Sequence, residues 1–406
     1  MSYVTKVTPP APSTVLLATA IAYGAVVVIG AALRSRTYAI FRAVTLGIYG
    51  LIFWGVLSRW LATPLWPLVL YLHSTVYLHS LLLVRPRMRS LVYRGLVSIP
   101  QSLWAASILL SLPFALLAAF GFALPGFWLP ALLSLIGVLQ SLRTQGSHVD
   151  IVVGDGDAGE LSRRAHGSER SPRPLSFFQI TDPHLGPFMS VSRLRAVSEA
   201  AVAENPDLVL LTGDYLTMES HGDVAHLRDA LMPLAVLSGR TFACFGNHDH
   251  EAPETVRGAL SAAGVQLLVD DATVVETAAG KVQIVGMDYH YRERRARMNK
   301  VLAAHPRLPG ALRLVLLHHP GAFRHLPDGD ADLVLSGHTH GGQVGFLSLG
   351  LHLTLLRLLM NSPDHGFWAQ GKNRLYVHRG TGHYGFPLRI GVPAEQSVVR
   401  VHRVAA

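Results

Sequence analysis

Two hydrophobic patterns divide the chain. Up to about residue 142 the apolar runs are long. No charge lies between Lys6 and Arg34, where Val15–Leu33 reads VLLATAIAYGAVVVIGAAL. Ala43–Ser58 is uncharged, as are Trp60–Val84 over 25 residues and Gly95–Leu142 over 48. At ~1.5 Å per helical residue the last run would extend about 72 Å, more than twice a ~30 Å hydrocarbon core, so it must fold back. Leu124-Pro125-Gly126 is the reversal point. These runs predict an N-terminal α-helical transmembrane bundle of four or five spans over residues 1–145. The first run is too long for a cleaved secretory signal. A soluble bundle would need polar outer faces that the runs lack.

From Leu175 onward the pattern changes to short apolar runs alternating with helical periodicity. Predicted strands are Phe177–Thr181, Leu208–Thr212, Phe242–Phe245, Val282–Gly286, Leu312–Leu317 and Leu333–Ser336. Predicted helices are Val191–Glu204, Val224–Leu237, Pro253–Ala263 and Arg292–His305. Nearly continuous apolar strands separated by helices imply an α/β domain with its sheet covered on both faces. Two late strands, Arg374–Val377 and Val398–Val404, suggest a second sheet closing residues 175–406. Between the halves, residues 146–174 read as an edge strand (Val149–Val153) and a flexible linker rich in Gly, Ser and charge.

Charge sharpens this division. Of 35 Lys and Arg, ten lie in residues 1–145, which contain no Asp or Glu. The remainder is near balance, with 25 bases against 26 acids. The net charge of +9 therefore belongs to the apolar half and suits membrane topology better than nucleic acid, so no nucleic-acid partner is expected. Arg34, Arg36 and Arg42, with Arg85, Arg87, Arg89 and Arg94, mark two cytoplasmic loops. The expected setting is the cell inner membrane. Five spans place the C-terminal unit in the cytoplasm, and four place it outside. The single cysteine, Cys244, excludes an intrachain disulfide and reads as a small core residue.

Chemistry concentrates where the predicted strands end. The segments are Thr181-Asp182-Pro183-His184, Gly213-Asp214, Gly246-Asn247-His248-Asp249, His318-His319-Pro320 and Gly337-His338-Thr339-His340. Ligands of α/β sheets bind at the carboxyl edge of the strands, so five such ends can meet in one crevice. Two divalent cations ~3.5–4 Å apart clamp a phosphoryl group and activate water. Such a pair needs a bridging carboxylate, and Asp214 suits that place. Mixed carboxylate, imidazole and amide donors suit Mn, Fe or Zn more than a thiolate site. Asn247 offers a neutral carbonyl, and His248 beside it is placed to act as a general acid. Asp249 and His250 are candidates to orient it or, equally, to play a structural part.

In this order the motifs resemble the calcineurin-like metallophosphoesterase superfamily, from about Phe177 to the C-terminus. The resemblance implies a four-layer α/β/β/α sandwich. It also implies one metal held by Asp182, His184, Asp214 and His340, a second held by Asp214, Asn247, His318 and His338, and His248 as the catalytic histidine. The second motif lacks the further Asp common in the protein phosphatases of the superfamily. The tail, Arg379-Gly380-Thr381-Gly382 through Pro387-Leu388-Arg389-Ile390, is similar to a membrane-anchored branch that includes UDP-2,3-diacylglucosamine pyrophosphatase-like phosphodiesterases. Within it His383 is expected to reach the substrate. Arg389 is expected to pair with phosphate or to form an ordinary salt bridge.

The reading is a membrane-anchored hydrolase of a phosphodiester or pyrophosphate bond, its partners the lipid bilayer and a phosphoester that the anchor suggests is lipid-linked. The alternatives are a tethered phosphodiesterase for soluble substrates and a non-catalytic membrane scaffold. His73 and His79, within the third apolar run, are expected to be interfacial or packing residues. Leu347–Met360, LSLGLHLTLLRLLM, is read as a core strand and helix or, alternatively, as an apolar lip that meets a bilayer or an acyl chain.

Overall fold

The computed structural model describes residues 8–404, apart from 155, 166–167, 291, 361 and 386–387. Pro387 of the tail motif and parts of the predicted linker thus lie outside the described residues. The chain separates into two compact units, one within Met1–Val138 and one comprising Leu139–Tyr384 and Arg389–Ala406.

In the first unit, two helices among the described residues are long and apolar enough to cross a membrane, Pro12–Leu33 and Arg36–Leu61. The pair Leu91–Leu110 and Leu112–Ala119 is bent by 47° and makes a third span only if it is counted as one. Trp66–Leu82 has 17 residues and Leu129–Ser141 has 13. A straight helix needs about 20 to cross a ~30 Å core, so length and apolarity alone do not reach four or five spans. Proline recurs at the first turns of Trp66–Leu82, Ile99–Leu110 and Leu112–Ala119, where its missing N–H costs least. It thereby divides the apolar runs into short helices. The two arginine clusters meet at one end of this bundle: Arg34 donates to the Leu83 carbonyl at 2.6 Å, and Arg89 donates to that of Leu82 at 2.6 Å. His73 is buried and joins three helices. Its ring nitrogens lie 2.8 Å from the Tyr49 hydroxyl and 2.9 Å from Thr19 Oγ1, and the ring stacks on Phe53.

The second unit is built from strands β1 (Thr144–Val153), β2 (Ser162–Arg163), β3 (Leu175–Ile180), β4 (Leu208–Leu211), β5 (Thr241–Ala243), β6 (Gln266–Leu267), β7 (Asp271–Thr277), β8 (Gly280–Met287), β9 (Leu312–Leu317), β10 (Leu333–Ser336), β11 (Gly366–Gln370), β12 (Asn373–Val377) and β13 (Ala394–Arg403). Among the described residues they form a six-stranded sheet in the order β1-β13-β3-β4-β5-β6 and a seven-stranded sheet in the order β2-β11-β12-β10-β9-β8-β7. β3 to β6 are mutually parallel, as are β8, β9, β10 and β12. The carboxyl ends of β3, β4, β5, β9 and β10 carry the five motifs.

Alternating residues of both sheets interdigitate in one core, with Phe177, Leu210 and Phe242 from the first and Ile284, Leu314 and Leu335 from the second. The opposite face of the first sheet packs under Val191–Ala203, Val224–Leu231 and Pro253–Ala262, and that of the second packs under Arg294–Ala304. These are the four layers α/β/β/α. Two expectations need correction. The late strands do not share a sheet: β12 extends the second, whereas β13 enters the first, antiparallel to β3 and parallel to the edge strand β1. Leu347–Met360 is not core. It holds a 3-10 turn at Leu347–Leu349 and a short helix at Leu355–Leu359, neither with a buried residue.

Glu395 joins the sheets. Its buried carboxylate accepts from the Tyr376 hydroxyl of β12 at 2.5 Å, from Ser397 Oγ at 2.8 Å, and from the backbone N and Nε of Arg379 at 3.0 and 3.1 Å. Burial favours the neutral acid, but His378, Arg379 and the Tyr376 hydroxyl outweigh it and hold the carboxyl well below its usual range. Glu395→Ala leaves the Arg379 charge and the Tyr376 hydroxyl uncompensated. It should cost about 3–5 kcal/mol, measured as a lower thermal midpoint of the detergent-solubilised chain.

Candidate metal centre

Each motif leaves its strand through a tight turn. Nine non-glycine residues among those described have positive φ, and five of them are predicted ligands: Asp182 (50°), His184 (48°), Asp214 (59°), His338 (67°) and His340 (51°). Such backbone costs energy and persists only where the surroundings over-determine it. Neighbouring glycines permit the crowding. A Cβ on Gly213 would fall 2.4 Å from the Gly246 nitrogen, one on Gly246 would fall 2.2 Å from Asp214 Oδ1, and one on Gly337 would fall 2.1 Å from Asp182 Oδ2.

Two clusters result. Asp182, His184 and His340 form one and Asp214, His318 and His338 form the other, with the donor atoms of each within 4.8 Å of one another. Asp214 faces both, since its Oδ2 lies 3.2 Å from His318 Nε2 and 3.7 Å from His184 Nε2. Asp182 Oδ1 lies 3.4 Å from His340 Nε2 and 3.9 Å from His184 Nε2. Asn247 Oδ1 and His184 Nε2 are buried without a hydrogen-bond partner among the described residues. His318 Nδ1 lies 2.7 Å from the Thr212 carbonyl, and a neutral ring that donates there keeps the Nε2 lone pair for a cation. The donors are oxygen and imidazole nitrogen, the set that a pair of borderline divalent ions takes.

The electrostatics show a deficit of positive charge. Burial and the neighbouring Asp214 raise Asp182 to about 6, although His318, Thr181 and the His338 amide oppose the rise. Burial lowers His184 to about 3 and His338 to about 2, leaving them as neutral donors. Burial also opposes a charge on His318, but the Asp214 and Asp182 carboxylates outweigh it and raise the ring to about 10. A proton on His318 thus supplies charge that bound cations would provide.

The second ring of contacts decides between the two roles open to Asp249 and His250 in favour of the structural one. Asp249 does not orient His248. Its carboxylate accepts the backbone N–H of Asp214 at 2.7 Å, Gly246 at 2.7 Å and Tyr215 at 2.9 Å. His250 pairs instead with Asp288 at 2.9 Å. The partner of His248 is Glu251, 2.8 Å from Nδ1, while the His248 backbone N–H donates to Asp214 Oδ1 at 2.8 Å. Burial lowers His248, yet Glu251 and Asp214 prevail and raise it above its usual value. Tyr384, half-buried, places its ring 4.1 Å from that of His248. The i, i+3 spacing in His-Asp-His-Glu was the sequence signal for Glu251, whereas Tyr384 had none.

His383 is buried with its ring 4.8 Å from Phe188. Arg389 is fully buried, and its guanidinium donates to the carbonyls of His340 at 3.2 Å, Arg379 at 2.8 Å and Gly382, with Nη2 also 3.2 Å from His340 Nδ1. In place of the expected phosphate pairing or salt bridge, it stands behind the first cluster and ties the tail to it.

The model of the calcineurin-like phosphoesterase family matches residues 175–342. Phosphodiesterase YaeI of Escherichia coli (strain K12) is 31% identical over 220 residues, which is 53% of this chain and 78% of the relative. The chain belongs to the calcineurin-like phosphoesterase family. It is a metal-dependent phosphoesterase hydrolase, and its two clusters are candidate sites for the divalent metals that the family uses. A transmembrane protein with metallophosphoesterase domain from Danio rerio is 30% identical over 249 residues, 56% of this phosphoesterase and only 54% of that protein. Uncharacterized metallophosphoesterase YkoQ of Bacillus subtilis (strain 168) is 29% identical over 190 residues, covering 46% and 68%. With helices of membrane-crossing length beside the phosphoesterase domain, the chain has the features of a membrane protein.

Gly246→Ala tests the crowding directly. The new methyl has to displace the Asp214 carboxylate, so metal content measured by elemental analysis should fall at least ~10-fold, as seen when supporting contacts of a site are lost. The far-ultraviolet dichroism should stay unchanged.

Proposed function

We propose that this chain is a membrane-anchored phosphohydrolase that cleaves a phosphodiester or pyrophosphate bond of a lipid-linked substrate. The observation that carries this reading is the carboxylate of Asp214, which faces both clusters. Asp182, His184, Asp214 and His340 would hold one divalent ion, and Asp214, Asn247, His318 and His338 the other, with Mn, Fe or Zn matching the donors. When bound, the ions supply Lewis-acid charge to the phosphoryl oxygens and activate water.

The chain's own residues do the rest. Asp214 fixes the His248 backbone, and Glu251 holds Nδ1, which leaves Nε2 to deliver a proton to the leaving oxygen. The raised affinity of His248 for its proton suits an acid. His383 and Tyr384 flank the place where the substrate would lie. Arg389 adds positive charge from behind His340.

The name of the E. coli relative favours a phosphodiester bond, and that of the zebrafish relative favours an anchored domain. The proposed organisation is a transmembrane domain at 1–145, an edge strand and linker at 146–174 and the phosphoesterase domain at 175–406. The arginine distribution supports four or five spans, and on the five-span count an inner-membrane protein with its catalytic unit in the cytoplasm.

Purified full-length protein should carry divalent metal, hydrolyse bis(p-nitrophenyl) phosphate, lose that activity to a chelator and regain it with Mn. Absence of hydrolysis under every metal tried would overturn the catalytic reading. His248→Ala should lower kcat by about 10²–10⁴-fold on alkyl phosphodiesters. The loss should be smaller on p-nitrophenyl esters, whose leaving group needs no proton. Faster hydrolysis of a phosphodiester presented in vesicles than of its dispersed short-chain analogue supports the lipid-linked substrate, and equal rates favour a soluble one.

A further inference from the structure

In the phosphoesterase unit, large exposed hydrophobic side chains are few and gathered. Of the eleven described beyond residue 143, eight lie in the fifteen residues Phe346–Met360, and Leu349 and Leu359 reach 74% exposure. Scattered apolar residues on a surface need no explanation, but eight of them within one fifteen-residue segment do.

The segment is not loose. Its base is pinned on both sides of the tip. The Gly345 N–H donates to the Ile390 carbonyl at 2.9 Å, that of Leu355 to Val344 at 2.8 Å, and that of Phe346 to Leu353 at 3.0 Å. Thr354 is buried, and its hydroxyl donates to Asp364 at 2.6 Å. The base is therefore fixed while Leu349, Leu351, Leu355, Leu358 and Leu359 project outward.

Its charge selects the occupant. Residues 343–363 contain no Asp or Glu and one base, Arg357. The Arg357 guanidinium sits 5.1 Å above the ring of buried Trp368, at the root of the patch. Apolar tips with a cation at their root match the layering of an anionic bilayer surface, acyl chains below and phosphate above. A protein partner would more often meet a polar rim with charges of both signs.

We infer that Phe346–Met360 is an interfacial membrane element that inserts its leucines among the acyl chains of the membrane holding the N-terminal helices. The segment begins six residues after His340, so insertion would hold the candidate metal centre near the membrane surface. This rests on the membrane anchoring of the chain and not on the chemistry of the centre.

The test is site-directed spin labelling of the full-length protein in vesicles of mixed zwitterionic and anionic phospholipid. Cys244 is buried and should take no label in the wild-type chain. In L349C and L358C, dissolved oxygen should relax the nitroxide more strongly than a water-soluble nickel complex does. In V274C, an exposed position on β7, that order should reverse. Equal access of the nickel complex at Leu358 and Val274 overturns the inference. So does shielding of L349C and L358C from both reagents, which means that protein covers the patch. Because the readout needs no turnover, a catalytically silent preparation reports insertion equally well.

Discussion

Two carboxylates with almost no solvent lie at the meeting of two sheet edges, and the rest of the site is arranged around that fact. Asp182 and Asp214 are buried to within 2% of full exclusion and repel one another. Burying an uncompensated carboxylate costs several kcal/mol even after relaxation. The fold answers partly with backbone dipoles, since the His338 N–H points at Asp182 and the His248 N–H at Asp214. Each carboxylate thus fixes the loop carrying another candidate ligand or His248. The centre is an interlocked ring, and removing one member should loosen the next. His184, His338 and His340 complete the ring as neutral imidazoles that bring no charge, and in the absence of cations the proton on His318 is the one that answers the demand of the two carboxylates.

The same demand accounts for the strained backbone. Five predicted ligands with positive φ represent conformational energy that the loops would release if nothing held them. Glycines 213, 246 and 337 allow the carboxylates to press against neighbouring backbone, and Asp249 fastens three amide groups of two loops at once. A dication in each cluster would offset the charge cost that these strained loops hold in place.

Much of this was legible in the chain because strand ends in an α/β sandwich are marked twice, by the end of an apolar run and by the turn residues after it. Leu208–Leu211 followed by Gly213-Asp214 is such a case. The missed strands lack that double mark. β7 (DATVVET) and β11 (GFWAQ) are antiparallel strands towards the sheet margins with shorter or mixed apolar patterns. The pairing of β13 could not be read at all, because register between distant strands is decided by tertiary packing and not by local periodicity. Site contacts divide in the same way. The residues that gather in the two candidate clusters follow from residue type and position, whereas the choice of Glu251 over Asp249 as the partner of His248 depends on the 3-10 turn at Asp249–Glu251, which sends Asp249 inward. In the apolar half, composition located the helices but not their lengths, since prolines at the first turns cut uncharged runs into pieces that composition treats as continuous.

Membrane attachment changes what an apolar patch has to accomplish. A free soluble domain would need enough buried area to overcome the loss of translational freedom, and a few leucines on a five-residue helix would give only weak binding. A domain already joined to transmembrane helices through its own chain has no such requirement, because its effective concentration at the surface is set by the connecting segment. Modest apolar burial, ~25 cal/mol per Å² removed from water, is then sufficient to choose an orientation even where it could not provide an affinity. Orientation is what a candidate metal centre at the end of two sheets would need if its phosphoester lay in the headgroup layer. The pinned base of Phe346–Met360 is joined to His340 by the short segment of residues 341–345, so the two are linked through few residues.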